Sequence, residues 1–139
     1  MTAHKDDQHM YEETTNGIRV SVRPVYLEDQ SSPEDDHYVW AYNVRIENHG
    51  EDRVQLINRH WKITDGMGRC QEVRGAGVVG EQPVLAPGDS YEYTSGTPLQ
   101  TPSGIMMGEY EMERSDGTGF EVTIPAFSLD SPHMSQQIH

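Results

Sequence analysis

The sequence predicts an all-β protein, with about seven short strands, mostly antiparallel, folded as a sandwich or a barrel. Three observations carry this expectation. Apolar residues recur at every second position in short runs, the period of a half-buried strand. Turn residues, drawn from 13 glycines and 8 prolines, separate those runs at short and regular intervals. No stretch shows the 3.6-residue apolar period of an amphipathic helix, and no crossover is long enough to join parallel strands.

The strands follow in order. Ile18, Val20 and Val22 alternate with Arg19, Ser21 and Arg23, and Val25 and Leu27 continue on the opposite parity, with Pro24 at the switch. A proline there predicts an edge position or a bulge. Residues 28–37 form an acidic loop around Ser31-Ser32-Pro33. Tyr38, Trp40, Tyr42, Val44 and Ile46 define the clearest strand, and Asn48-His49-Gly50-Glu51 turns the chain. Val54 and Leu56 open the next strand, but Trp61 and Ile63 have the other parity, so a bulge is expected between Ile57 and His60. Asp65-Gly66-Met67-Gly68 is a hairpin turn leading into a short strand, Arg69 to Arg74. Gly75 to Gly80 then reads as a loop, in which Val78 and Val79 plug the core. After the Pro87-Gly88 turn, Tyr91 and Tyr93 alternate with polar residues, and Thr94 to Gly104 reads as a polar connection. Ile105 to Met112 and Phe120, Val122 and Ile124 make a hairpin about Ser115-Asp116-Gly117-Thr118-Gly119, and Pro125 shifts the parity to Phe127 and Leu129. The domain boundaries expected are 11–130, with polar, disordered tails at 1–10 and 131–139.

The chain has 139 residues, a formal net charge of -13 and a pI near 4.7. Such a charge opposes binding to nucleic acid and to acidic membrane surfaces, and favours solubility and basic partners. A single cysteine, Cys70, suits a reducing compartment. The first residues do not form a secretory signal, and no apolar run is long enough for a membrane helix, so a cytoplasmic protein is expected.

Gly75-Ala76-Gly77-Val78-Val79-Gly80 has the spacing of a phosphate-cradling fingerprint. That fingerprint needs a helix opening at the loop, and Glu81-Gln82-Pro83 does not supply one. A non-helical nest of amides remains an option, with Arg74, Arg59 and His60 as the nearby cations. The leading expectation is structural, with glycines supplying positive φ where the chain crosses the end of the sandwich. Trp61 reads as a core anchor, with Arg59 and His60 beside a bulge. His37 with Asp35 and Asp36 is expected to offer no more than weak divalent-cation binding from a solvated acidic loop. No metal-ligand spacing, Gly-x-Ser-x-Gly elbow or base near Cys70 in sequence is present, so neither a cofactor nor an enzymatic activity is expected.

Several segments together give a resemblance. They are Asn58-Arg59-His60-Trp61, the run Val73 to Pro83, Pro87-Gly88, Tyr93-Thr94-Ser95-Gly96, Gly108-Glu109-Tyr110-Glu111-Met112 and Ile124-Pro125-Ala126-Phe127. In this order they resemble the ApaG family over nearly all of Gly17 to Pro132. The resemblance implies an immunoglobulin-like, fibronectin type III-like sandwich. It also implies a link to magnesium and cobalt homeostasis and to genes for diadenosine tetraphosphate hydrolysis. The same domain in some F-box proteins and in a DNA polymerase delta-interacting protein implies partner binding, and no established enzymatic activity accompanies the family. The expected function is therefore a non-enzymatic interaction module with an unidentified protein partner. The competing expectation is a small-molecule binder holding pyrophosphate or a nucleotide on Gly75, Gly77 and Gly80 with Arg74, Arg59 and His60.

Overall fold

Period-two alternation of apolar residues builds two facing antiparallel sheets. The computed structural model describes residues 10–133, so the remainder of both expected tails lies outside the described residues. Among the described residues nine strands follow in order: β1 (Tyr11–Thr15), β2 (Ile18–Tyr26), β3 (Tyr38–Asn48), β4 (Val54–Asp65), β5 (Cys70–Ala76), β6 (Val84–Leu85), β7 (Ser90–Leu99), β8 (Ser103–Arg114) and β9 (Gly119–Asp130). One sheet has the order β1-β2-β3-β7, and the other β5-β4-β8-β9 with β6 also paired to β4. The acidic loop between β2 and β3 contains two single-turn 3-10 helices.

The inner faces meet in one core. Val20, Val22, Trp40, Val44 and Ile46 come from the first sheet, and Leu56, Trp61, Met106, Tyr110, Val122 and Phe127 from the second. Its centre is aromatic. Trp61 lies edge-on to Tyr42 at 5.4 Å and to Phe127 at 6.0 Å, contacts that Ala cannot replace. Nearby, the Tyr93 and Tyr110 hydroxyls bond to each other at 2.5 Å, satisfying polar atoms that burial would otherwise leave bare.

Two bulges reconcile the sequence with these faces. The β4–β8 register shifts between Leu56 and Asn58, so Val54, Leu56, Trp61 and Ile63 are all buried as expected. The β8–β9 register shifts opposite Pro125, which turns both Ile124 and Phe127 inward.

Four expectations are corrected. First, β1 precedes the predicted strands. Asn16 and Gly17, with φ of 50° and 82°, form the two-residue turn of a hairpin, and Asn-Gly is the sequence signal for it. Second, β2 runs through Pro24 without changing parity, and Val25 is exposed while Tyr26 packs on Trp40. Because β1 ends opposite Val22, Pro24 needs no N–H on that side and no bulge results. Third, the expected polar connection after Thr94 is mostly strand. β7 stays paired with β3 as far as Leu99, because main-chain pairing with a long neighbour does not need apolar side chains. Fourth, the packed region passes residue 130: Ser131 is buried, and the His133 ring lies against Tyr26 and Tyr38.

Trp61→Ala removes the ring that joins the sheets, and the expected loss is about 3–5 kcal/mol. Denaturant titration checks it; a loss under about 1 kcal/mol would place Trp61 outside the core.

Candidate functional site

The bulge in β4 decides what faces solvent on the second sheet. Beyond it, Arg59 and Trp61 point inward, whereas Asn58, His60 and Lys62 point outward. His60 stands opposite Glu109 of β8 and Arg74 of β5. Its Nδ1 is 2.7 Å from Glu109 Oε2 and its Nε2 is 2.7 Å from Glu72 Oε1. With a carboxylate at each nitrogen, the ring is best satisfied as an imidazolium donating twice. The bond to Glu109, then that to Glu72, raises the histidine pKa above its ordinary 6.5. The same bond to His60 lowers the pKa of Glu72.

The glycine segment is divided between two structures. Gly75 belongs to β5 rather than to a loop, and stands opposite Arg59. The Arg59 guanidinium crosses it so closely that a Cβ on Gly75 would lie 2.8 Å from Nη1. Arg59 Nη1 donates to the carbonyls of Ala76 at 3.1 Å and Gly77 at 2.9 Å. Gly77, with φ of 63°, gives its N–H to the Ile57 carbonyl at 2.8 Å, and a Cβ there would collide with the Glu81 carbonyl. Val78 and Glu81 then exchange main-chain bonds around Val79 and Gly80, both at positive φ. Val78 is buried, as expected, whereas Val79 is 54% exposed and does not plug the core.

These residues do not converge as the sequence alternative requires. Arg59, His60, Arg74 and Gly75 border one cleft of about 360 Å³, together with Asn58, Ala76, Glu109, Glu111 and Glu121. Gly77 and Gly80 sit beyond it in the turn. The amides of Gly77, Val78 and Glu81 are already bonded to carbonyls, and Arg59 faces two further carbonyls. Arg74 is the cleft's solvent-facing cation, and it leans on Glu72 at 3.3 Å. Glu111 stands opposite Glu121 and accepts a bond from Asn58 Nδ2 at 2.6 Å. The cleft's carboxylates, Glu109, Glu111 and Glu121, are matched by Arg59, Arg74 and the His60 imidazolium, so its lining has no excess of positive charge to draw a phosphate. Its glutamates do not stand out in the sequence, because 23 acidic residues make acidic pairs inevitable. Their parity is the available signal: Glu109 and Glu111 alternate with Tyr110 and Met112. Among the described residues no group of three His, Cys, Asp or Glu side chains is placed to hold a metal ion, in the His37 loop or elsewhere.

β5 also forms an open sheet edge. At its two ends, Asp65 N–H donates to the Arg69 carbonyl and Gly77 N–H to the Ile57 carbonyl. Antiparallel pairing alternates, so residues 69, 71, 73, 75 and 77 direct their main-chain groups at β4. Cys70, Glu72, Arg74 and Ala76 direct theirs away from it, and all four are exposed.

Two antiparallel sheets about an aromatic core, with an uncovered edge on one of them, define an immunoglobulin-like, fibronectin type III-like sandwich domain. The ApaG domain family model matches residues 28–114. A Protein ApaG from Paramagnetospirillum magneticum is 66% identical over 130 residues, which is 94% of this chain and 100% of the relative. Another, from Rhodospirillum centenum, is 66% identical over 124 residues, covering 89% and 95% respectively. A crystal structure from Bordetella pertussis, described as a putative ApaA protein, superposes with a TM-score of 0.80 at 53% identity, covering 87% of this chain and 95% of that one. The chain belongs to the ApaG family.

Two outcomes follow from this geometry. Because the folded pKa of His60 lies above its unfolded value, its contribution to stability is complete below about pH 6.5 and is lost as pH rises through the folded pKa. Glu72, shifted down, contributes above about pH 4.5 and loses that contribution as pH falls through its folded pKa. The stability difference between the parent chain and His60→Gln is therefore expected to be largest between those pH values and to shrink above them, as measured by denaturant titrations across pH. For the glycine segment, calorimetry with ATP or diadenosine tetraphosphate, with and without magnesium, is expected to give no dissociation constant tighter than about 0.1 mM. A micromolar constant abolished by Arg74→Ala at unchanged stability would establish an anion site.

Proposed function

We propose that this protein is a non-enzymatic interaction module that captures an extended partner segment along the β5 edge. The single observation behind this reading is the row of outward main-chain groups at Cys70, Glu72, Arg74 and Ala76. Adding a strand to such a row satisfies donors and acceptors that, apart from the Ala76 carbonyl on Arg59 Nη1, otherwise bond only to water. The other edges are less open. β1 and β9 approach each other, and the Thr123 N–H donates to Thr15 Oγ1 across that seam. β7 carries Pro98, which withholds one donor from its edge. β5 contains no proline, and Arg59 Nη1 engages its outward row at the Ala76 carbonyl, at one end. In this reading, the link to magnesium and cobalt homeostasis implied by the family resemblance is indirect and runs through the partner.

Arg74→Pro tests it. The Arg74 N–H points away from β4, so the substitution removes an outward donor and leaves the β4–β5 ladder intact. Affinity capture from cell lysate with the parent chain is expected to recover a partner that Arg74→Pro, at unchanged stability, does not. Equal recovery by both chains would move the contact away from β5.

A further inference from the structure

The open edge of β5 has a property that the interaction reading does not require. Its sequence, Cys70-Gln71-Glu72-Val73-Arg74-Gly75-Ala76, has charges of opposite sign placed symmetrically about Val73. We infer that β5 pairs antiparallel with β5 of a second copy, about a two-fold axis at Val73, making one continuous sheet from the two copies. This rests on the same reading of β5 as a docking edge and commits it to one occupant.

Three constraints select this register. The first is main-chain geometry. Only Cys70, Glu72, Arg74 and Ala76 offer N–H and C=O groups outward, so bonded pairs across the axis must join members of this set. With Val73 on the axis, Cys70 meets the partner's Ala76 and Glu72 meets the partner's Arg74, and the same two pairs recur by symmetry. Every outward group is then paired, the Ala76 carbonyl keeping Arg59 Nη1 as a second donor. The second is charge. Glu72 faces the partner's Arg74 twice, opposite signs directly across an antiparallel pair. Sliding by two residues one way places Glu72 against the partner's Glu72, and the other way Arg74 against the partner's Arg74; both oppose like charges. The third is access. The Arg74 side chain is 72% exposed and that of Glu72 50%, and both lie on the outer face, where a coplanar partner strand can reach them. A two-fold contact of this kind is isologous and closes at two copies, so it does not propagate into a fibre.

The contact is narrow, one strand from each copy, which places it in the weak class of interfaces. Each chain also carries a formal net charge of -13, so association is to be measured at about 0.15 M salt, where the screening length is roughly 8 Å. Sedimentation equilibrium at up to about 1 mM protein is the measurement, since weak association becomes visible in that range. The parent chain is expected to approach twice its mass of 15.7 kDa. Arg74→Glu and Glu72→Lys, each shown by circular dichroism to keep the β spectrum, are each expected to remain at one chain mass. An equimolar mixture of the two is expected to recover the dimer. The Arg74→Glu chain then presents only carboxylates at positions 72 and 74, and the Glu72→Lys chain presents only cations opposite them. A parent chain of single mass throughout, or a mixture that stays monomeric, would overturn the inference.

Glu72→Lys also removes a bond to His60, so a second measurement keeps the register testable if that variant does not fold. Val73 meets the partner's Val73 as a non-bonded pair, at about 4.5 Å between Cα atoms, within reach of a disulfide. Val73→Cys in a Cys70→Ser chain is expected to cross-link under mild oxidation, whereas Gln71→Cys in the same chain, which faces Gly75 of the partner, is not. Absence of the Val73→Cys cross-link, or equal cross-linking at both positions, would overturn the inference. Capture of a different protein through β5 by a chain that stays monomeric would overturn only this inference and leave the interaction reading in place.

Discussion

The structure depends on one extra residue in β4. Ile57 is inserted into the ladder with β8, and without it Val54 and Leu56 could not share a core with Trp61 and Ile63. The insertion frees the Ile57 carbonyl, which accepts the Gly77 N–H at 2.8 Å and the Gln82 Nε2 at 2.9 Å. The bulge and the glycine segment are thus two halves of one joint. The segment needs Gly77 because a side chain there would strike the Glu81 carbonyl while the amide is held on Ile57. Gly77, at the centre of a motif with the spacing of a phosphate loop, therefore has a structural explanation in the packing of the chain against its own bulge.

That joint also accounts for the charges. Turning Arg59 inward leaves a guanidinium in need of acceptors at the end of the sandwich, and the Ala76 and Gly77 carbonyls provide them. Turning His60 outward places it between Glu72 and Glu109, where it links β5 to β8 across the intervening strand. In a phosphate site the amides point at an anion and the cations follow. Here the amides of Gly77, Val78 and Glu81 meet carbonyls, Arg59 covers two carbonyls, and carboxylates balance the cations of the neighbouring cleft.

Much of the fold is legible in the sequence because alternation and turn chemistry are local signals. Tyr38 to Ile46 announce β3, Asp65-Gly66-Met67-Gly68 marks the β4–β5 hairpin, and the parity conflict around Ile57 locates the bulge. Elements that depend on a neighbour are not legible. The length of β7 is set by β3, and polar residues such as Thr94 and Ser95 give no sign of it. Pro24 reads as a change of face because sequence does not reveal where β1 stops. The candidate site is legible only in part. Arg59, His60 and Arg74 stand out by their residue types and lie together in space, but the direction in which each points follows from strand parity. Glu109 and Glu121 reach the cleft from strands far along the chain, which no spacing rule links to His60.

The hydroxyl pair between Tyr93 and Tyr110 has a spectroscopic consequence. Burial raises both phenol pKa values. Ionising either phenol in the closed sandwich places a charge in the core, a cost that disappears when water reaches it. Among the seven tyrosines, the part of the ultraviolet ionisation signal that comes from this pair is thus coupled to opening of the sandwich, a readout that needs no added dye or label.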